Sequence, residues 1–281
     1  MWGQSAGAFS TDYQNFAFYD DPIVTGFFPQ SGTAISQADP GDHGHTNFTY
    51  VAQQLGCNHP GNATAELDCM RGLPWDTIEN FVGEYSDNAT EPALTFRPVA
   101  DDVVVFSNYT ERYAQGKISS RPAIFSTCEE EGNSLAPYSR SGVNATIAEE
   151  ITLGTFLCPA AETMNLRTAA GLTTFRYLYS GVFNNTAPLP WMGPYHASDL
   201  PMNFATHQDY TNGRDYSTPF EFAVSERMED LIYSFMLDPH AGPQKQGWAT
   251  VASGEMLQFG KDGRVMQNVS IAAVDGVCSS Q

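Results

Sequence analysis

Apolar and polar residues are arranged along the chain in two kinds of block. In the first, apolar residues recur every three to four positions, as a helix with one buried face requires. These blocks cover residues 6–18, 46–55, 64–71, 74–82, 108–115, 148–157, 160–170 and 220–237. The last is the longest, with Phe222, Val224, Met228, Leu231, Ile232 and Phe235 near helical spacing. Pro74 and Asp76 suit the first turn of their helix, where an N–H is spare and negative charge is favoured. The second kind is short, β-branched or aromatic, and closed by proline, glycine or a polar cluster, as a strand requires. Residues 26–29, 122–127, 173–179, 256–259 and 264–271 fit it, the last two as a hairpin around Lys261-Asp262-Gly263. Residues 103–106 form a further β-branched run. Strands separated by helices predict an α/β fold with parallel pairing. No repeat or linker marks an internal boundary, so the 281 residues read as belonging to one domain.

Composition narrows the function. A formal charge of −19 and a pI near 4.4 argue against nucleic acid and against docking on anionic lipid, both of which call for basic surface. Aromatic residues make up 12% of the chain, which implies a packed protein rather than an acidic coil. No run approaches the ~18 apolar residues of a membrane span.

Seven Asn-x-Ser/Thr acceptors occur, at Asn47, Asn62, Asn88, Asn108, Asn144, Asn184 and Asn268. Chance predicts roughly two in such a chain, so the excess points to a secreted glycoprotein with surface at those points. Five cysteines fit the same compartment. A disulfide between Cys57 and Cys69 would close a short polar loop, while Cys128, Cys158 and Cys278 leave one odd thiol. No C-x₂-C metal spacing is present. His43-x-His45 is flanked by Pro40, Gly41 and Gly44 and reads as a loop rather than a metal site, and His207 and His240 read as surface residues. Residues 1–12 lack the basic and apolar regions of a signal peptide. Secretory features without a secretory start lead to the expectation that the N-terminus is missing.

The chemistry is concentrated at the start. Gly3-Gln4-Ser5-Ala6-Gly7 matches G-x-S-x-G, the nucleophile elbow, in which a serine on a strained strand-to-helix turn projects from the sheet edge. Glycines two residues to either side permit close backbone approach. The Ala6 N–H would face a developing oxyanion, aided by the helix N-terminus. The partners expected after it are an acid and then a histidine, on loops at strand ends. Glu129-Glu130-Glu131 follows the strand at 122–127, and His196 follows the strand at 173–179. Glu131, placed before Gly132, is the chosen acid, with Glu130 the alternative. Trp191 and Tyr195 are either entrance lining or packing, Asp199 a loop residue or helix cap, and Ser31 a floor residue or strand end.

The segment Gly3-Gln4-Ser5-Ala6-Gly7-Ala8 resembles the elbow of type-B carboxylesterases and lipases, the cholinesterase-like α/β-hydrolases. The resemblance runs through most of the chain. It includes Gln30-Ser31-Gly32, Leu55-Gly56-Cys57 with Asp68-Cys69-Met70-Arg71, Phe96-Arg97-Pro98-Val99-Ala100-Asp101, Glu131-Gly132 and Phe156-Leu157-Cys158-Pro159. Tyr195-His196-Ala197-Ser198-Asp199 resembles the histidine loop of fungal members. The resemblance implies an α/β-hydrolase fold with Ser5 as nucleophile, His196 as general base and acid, Glu131 as its orienting carboxylate and Ala6 as an oxyanion donor. It implies a small-molecule or lipid ester as substrate and no cofactor or metal. It also implies disulfides Cys57–Cys69 and Cys158–Cys278, leaving Cys128 free. A non-catalytic adhesion or binding module is the alternative reading, and a peptidase of the same fold a weaker third.

Three departures stand out. Gln4 replaces a frequent glutamate, Ala197 replaces a usual glycine, and the family's glycine-rich oxyanion loop and its first strands do not precede Ser5. At ~30 residues per βα unit, four absent units amount to on the order of 120 residues. The expectation is therefore the C-terminal portion of a single carboxylesterase domain, with impaired activity when it is alone.

Overall fold

The computed structural model describes residues 1–36, 42–210 and 216–280. Pro40 and Gly41 lie outside them. In chain order the elements are β1 (Trp2–Gln4), α1 (Ala6–Ala17), β2 (Phe28–Gln30), α2 (Thr46–Gln54), α3 (Ala63–Arg71), α4 (Trp75–Asp87) and α5 (Tyr109–Ala114). They continue with β3 (Ala123–Cys128), a small hairpin of β4 (Tyr138–Ser139) and β5 (Gly142–Val143), α6 (Ala145–Ile151), α7 (Cys158–Ala169) and β6 (Thr174–Tyr179). The last are α8 (Leu200–Asn203), α9 (Pro219–Leu237), α10 (Gly242–Lys245), β7 (Glu255–Phe259), β8 (Met266–Ser270) and α11 (Ile271–Asp275).

Six strands form one sheet in the order β1-β2-β3-β6-β7-β8. Every pairing is parallel except β7 with β8, the expected terminal hairpin. The α/β fold with a mostly parallel sheet is thus observed. β3 and β6 are buried along their whole length, as central parallel strands must be. Their side chains alternate between two cores. Ile124, Phe175, Tyr177 and Tyr179 pack with α9 residues Val224, Met228, Leu231 and Phe235 and with Trp248. Ala123 and Phe125 pack on the other side with Met164 of α7 and Val251. Arg176 also lies between the elements and is buried, but its charge is met by two hydrogen bonds to Asp275, at 2.6 and 2.9 Å. α9 begins on a capping box, in which Thr218 accepts from the Glu221 N–H and Glu221 accepts from the Thr218 N–H.

The chain divides into two compact units, Met1–Ala38 with Phe106–Gln281, and Asp39–Val105. The first holds the sheet. The second holds α2, α3 and α4 around a small core of Val51, Ala52, Cys57 and Met70. A disulfide joins Cys57 to Cys69 there, and α4 has no fully buried residue. In the first unit a disulfide joins Cys158 to Cys278, and Cys128 is a free, buried thiol. No helix among the described residues is long and apolar enough to cross a membrane.

The structure departs from the sequence reading at several elements. Trp2–Gln4 is a strand, paired in register with Phe28–Gln30, although three residues carry no periodicity of their own. Residues 145–169 are one continuous helical stretch with a π-helical segment, Thr152–Leu157, in its middle. The β-branched run at 103–106 forms no strand, because the Asp101 carboxylate collects the N–H groups of Val103, Val104 and Val105 at 2.9–3.0 Å and bends the backbone around itself. His207 is 1% exposed, not a surface residue, whereas His240, His43 and His45 are exposed. Of the seven glycosylation acceptors, Asn62, Asn88, Asn108, Asn144, Asn184 and Asn268 are exposed and Asn47 is half-buried. The side-chain oxygens of Asn62, Asn108 and Asn144 cap α3, α5 and α6.

Candidate active site

Three loops at the C-terminal ends of parallel strands converge in the first unit. β1 delivers Ser5, β3 delivers Glu131 and β6 is followed by the loop carrying His196. Ser5 has φ 57° and ψ −121°, a strained conformation for a residue with a side chain. It is held there from both sides. Its N–H donates to the Gln30 carbonyl at 2.9 Å, and its own carbonyl accepts from Ala8 and Phe9 at 2.8 and 3.1 Å. Ser5 therefore joins the sheet to α1 with its side chain part-exposed. The flanking glycines are not equivalent. A Cβ on Gly3 would stand 2.1 Å from the Gly7 carbonyl oxygen, so only glycine fits there. A Cβ on Gly7 would meet nothing within 4 Å. Ala6, the first residue of α1, is exposed.

The three glutamates after β3 have separate partners. Glu129 binds Lys261 through both oxygens, at 2.8 and 2.9 Å. That bond raises the Lys261 pKa. Glu130 accepts from Asn133 at 2.6 Å, and burial raises its pKa, reinforced by Glu129. Glu131 is fully buried and faces His196, its Oε2 lying 2.5 Å from Nδ1. Its Oε1 accepts from the Cys128 N–H at 2.7 Å. The alternative acid, Glu130, is bonded to Asn133 instead. Gly132 lets the acid loop lie against α6, since a Cβ would come 1.9 Å from the Ala148 carbonyl oxygen. The Gly132 N–H donates to Thr152 Oγ1 at 2.9 Å, which ties the same loop to the π-helical segment.

The histidine loop is fastened to the acid loop by the backbone, Glu130 N–H donating to the Pro194 carbonyl at 3.1 Å. The His196 side chain is 9% exposed. Phe156, from the π-helical segment, lies 4.8 Å from the ring. On the far side of the imidazole, Nε2 lies 3.1 Å from the Gln4 side-chain nitrogen. Among the described residues the hydrogen-bond partner of Nε2 is this amide rather than Ser5 Oγ. The positions of Gln4 and Phe156 against the ring are tertiary contacts with no signature in sequence spacing.

Beside Glu131 lies a cluster of buried polar side chains. Asp199 is fully buried, and its Oδ2 accepts from the Tyr177 hydroxyl at 2.8 Å, which Asn203 also meets at 3.2 Å. Burial, partly offset by Gln30, pushes the Asp199 pKa up to about 6. Asp199 stands just before α8 but makes no side-chain cap, so its role is interior. Burial also raises the Cys128 thiol pKa well above the ordinary range, which makes it a poor nucleophile. Ser31 is buried at a positive φ of 54° with its hydroxyl unpartnered, and Ala197 has φ 72°. Trp191 donates to the Arg140 carbonyl at 3.1 Å, and the Tyr195 hydroxyl to the Thr186 carbonyl at 3.0 Å. Among the described residues no three metal-ligating side chains gather.

The model of the carboxylesterase family matches residues 1–154, more than half of the chain and inclusive of the elbow and the acid loop. The chain belongs to the carboxylesterase family. A chlorogenic acid esterase of Aspergillus niger is 35% identical over 295 residues, covering 99% of this chain and 56% of that protein. Secreted lipase 5 of Gibberella zeae is 34% identical over 302 residues, covering 99% and 55%. Lipase 2 of Diutina rugosa is 27% identical over 143 residues, covering 47% and 25%. This carboxylesterase chain thus spans about half the length of the first two relatives it matches.

Proposed function

We propose that the chain contributes a Ser-His-Glu triad to carboxylic ester hydrolysis, with Ser5 as nucleophile, His196 as general base and acid, and Glu131 as the orienting carboxylate. The observation that carries the reading is the 2.5 Å contact between Glu131 and His196 Nδ1, formed beside a serine elbow whose backbone is strained. In the first step Ser5 Oγ attacks the ester carbonyl carbon while its proton passes to His196 Nε2. The buried Glu131 stabilises the imidazolium that forms. The carbonyl oxygen becomes an oxyanion, and the Ala6 N–H at the N-terminus of α1 donates to it. His196 then returns the proton to the leaving alkoxide, and an acyl-Ser5 ester remains. Water attacks that ester with His196 again as base, releasing the acid and restoring Ser5. For the proton to reach Nε2, the Gln4 amide must give way to the Ser5 hydroxyl.

The names of the relatives span an esterase and two lipases, so the substrate proposed is a carboxylic ester without a narrower class. Secretion and N-glycosylation are proposed as well. The two disulfides fit an oxidising compartment, the acceptor asparagines lie at exposed or half-buried positions, and one relative is named as secreted. The chain, which spans about half the length of its first two relatives, is proposed to be the C-terminal portion of one carboxylesterase domain.

The test is labelling with a fluorophosphonate, followed by peptide mapping. A Ser5 adduct that Ser5→Ala abolishes is the expected result. Labelling absent from both this chain and its full-length parent would overturn the reading and favour a non-catalytic binding module.

A further inference from the structure

We propose that the π-helical segment Thr152–Leu157 braces the triad histidine. Phe156 is a positioning residue that holds the His196 ring and keeps water off it, and Thr152 keys the segment to the acid loop. The proposal rests on the triad reading above and gives this segment a part in it.

The hydrogen bonds of His196 do not by themselves keep the ring in place through the reaction. Glu131 meets Nδ1 at 2.5 Å, and the Gln4 amide lies 3.1 Å from Nε2. The second contact is given up when the Ser5 hydroxyl takes its place, so one of two tethers is lost at the moment of proton transfer. Phe156 supplies a contact that persists. Its ring centroid lies 4.8 Å from that of the imidazole, near the short end for aromatic contacts, with the planes inclined by 40°. Phe156 is 3% exposed and the His196 side chain 9%. A phenyl ring neither donates nor accepts a proton, so it fixes the imidazole without competing for either nitrogen.

The helix is irregular at this point. The Cys158 N–H donates to the Leu153 carbonyl, five residues back instead of four. Such turns are rare and frequently mark functional sites. The first residue of the segment is tied to the loop of the second triad partner. The Thr152 hydroxyl accepts from the Gly132 N–H at 2.9 Å and donates to the Ala148 carbonyl at 2.8 Å. Thr152 and Phe156 are four residues apart and so share one face of the helix. That face therefore touches both the acid loop, next to Glu131, and the histidine ring. The far end is anchored as well, because Cys158 is bonded to Cys278. Ordinary core packing would call for a buried Phe156, but not for the π-turn or for the Thr152 bond to the acid loop.

Two readouts on the full chain test the brace. The first is fluorophosphonate labelling of Ser5, resolved into the rate at saturating probe and the probe concentration for half that rate. Phe156→Ala is expected to lower the saturating rate about 10- to 100-fold, the scale of a misplaced reacting group, and to leave half-saturation within about twofold. Phe156→Leu keeps most of the apolar bulk, folds if Phe156→Ala does not, and should fall between that variant and wild type. Benzene, which enters cavities left by apolar side chains, should restore labelling in Phe156→Ala and leave wild type unchanged. Thr152→Val should lose roughly two- to tenfold, the worth of one hydrogen bond, and Thr152→Ser should recover the wild-type rate. The second readout needs no catalysis. Modification of His196 by diethyl pyrocarbonate should be roughly two- to tenfold faster in Phe156→Ala, the worth of one aromatic pair, and slow again with benzene. Unchanged reactivity of buried His207 verifies the fold. Saturating rates equal to wild type in both Phe156 variants, while Glu131→Gln is slowed, overturn the brace and leave the triad standing. A loss that benzene does not restore, with His196 no more reactive, also overturns it. No labelling of the wild type or its full-length parent defeats the triad reading, and the reactivity of His196 then still decides whether Phe156 shields the ring.

Discussion

Two histidines in this chain face a buried glutamate and a phenylalanine, and their surroundings set them to different work. His196 divides its partners between its nitrogens, with Glu131 on Nδ1 and the Gln4 amide, one residue from Ser5, on Nε2. His207 crowds its partners onto one nitrogen. Its Nδ1 lies 2.8 Å from Ser217 Oγ and 3.6 Å from Glu221 Oε1, with Phe222 edge-on to the ring at 4.8 Å. Glu221 is also occupied elsewhere, accepting from Asn185 at 3.0 Å and capping α9. Both sets contain Ser, His and Glu. In the second the serine and the carboxylate compete for one atom, so no proton can be relayed through the ring. His207 is 1% exposed and ties the loop before α9 to the helix start. The lesson is that a triad is defined by which ring nitrogen each partner meets, not by the residue types present.

Substitution at the two pairs gives the widest contrast. Glu131→Gln and His196→Gln should each slow labelling of Ser5 by ~10²–10⁴, with melting changed little. His207→Gln should do the reverse, lowering stability by roughly 1–3 kcal/mol in denaturant titrations while labelling stays within about twofold. A large labelling loss in His207→Gln would break the comparison.

Next in size is the frame that holds the first pair. Gly132→Ala would force a Cβ to 1.9 Å from the Ala148 carbonyl oxygen, so the acid loop must move. The expected result is a loss of about 1–3 kcal/mol in stability together with slower labelling. Melting and labelling falling together would show that Glu131 depends on this packing. A stability loss with full labelling would show that it does not.

A pH experiment sharpens the contrast further, because a third buried carboxyl, Asp199, stands behind the first pair. Its pKa is raised by burial from 3.8 to about 6, so the native state binds the proton more tightly than the unfolded chain. Native stability therefore falls as pH rises between about 4 and 6, then levels off, because ionised Asp199 costs the fold. In Asp199→Asn that slope should be absent. Its stability relative to wild type should grow by roughly 1–3 kcal/mol across the window, measured by urea titration at each pH. A difference constant with pH would mean that Asp199 is solvated in the native state.

The smallest effect concerns the loop carrying His196. Ala197 sits at φ 72°, where a side chain is strained. Ala197→Gly should raise stability by about 0.5 kcal/mol, the relief being partly offset by the greater freedom of glycine in the unfolded chain. A destabilised variant would show that the Ala197 methyl contributes packing that outweighs its strain.

Much of the fold was legible because its signals are local. The helices α1, α2, α3, α5 and α9 and the strands β3, β6 and β7 fall within a few residues of the blocks read from periodicity. β1 was not legible, since three residues acquire strand character only by pairing with β2. The π-helical segment was hidden because its apolar residues satisfy an ordinary helical period. The β-branched run at 103–106 forms no strand because a single carboxylate, Asp101, outcompetes strand pairing for the N–H groups of Val103, Val104 and Val105. His207 looked like surface because its neighbours in sequence are polar. His207 itself is satisfied internally, its carbonyl accepting from Asn185 and its Nδ1 meeting Ser217 Oγ.

By itself, then, the sequence determined the α/β alternation, the elbow motif and the chain order of serine, acid and histidine, because each is written in neighbouring residues or in their order. Only the tertiary structure decided which of three consecutive glutamates meets the ring, which of two buried histidines has separate partners on its two nitrogens, and that the Gln4 amide stands at His196 Nε2. Those outcomes depend on distances between residues as far as 192 positions apart in the chain. They are set by how β1, β3 and β6 lie side by side in one sheet, which no local pattern encodes.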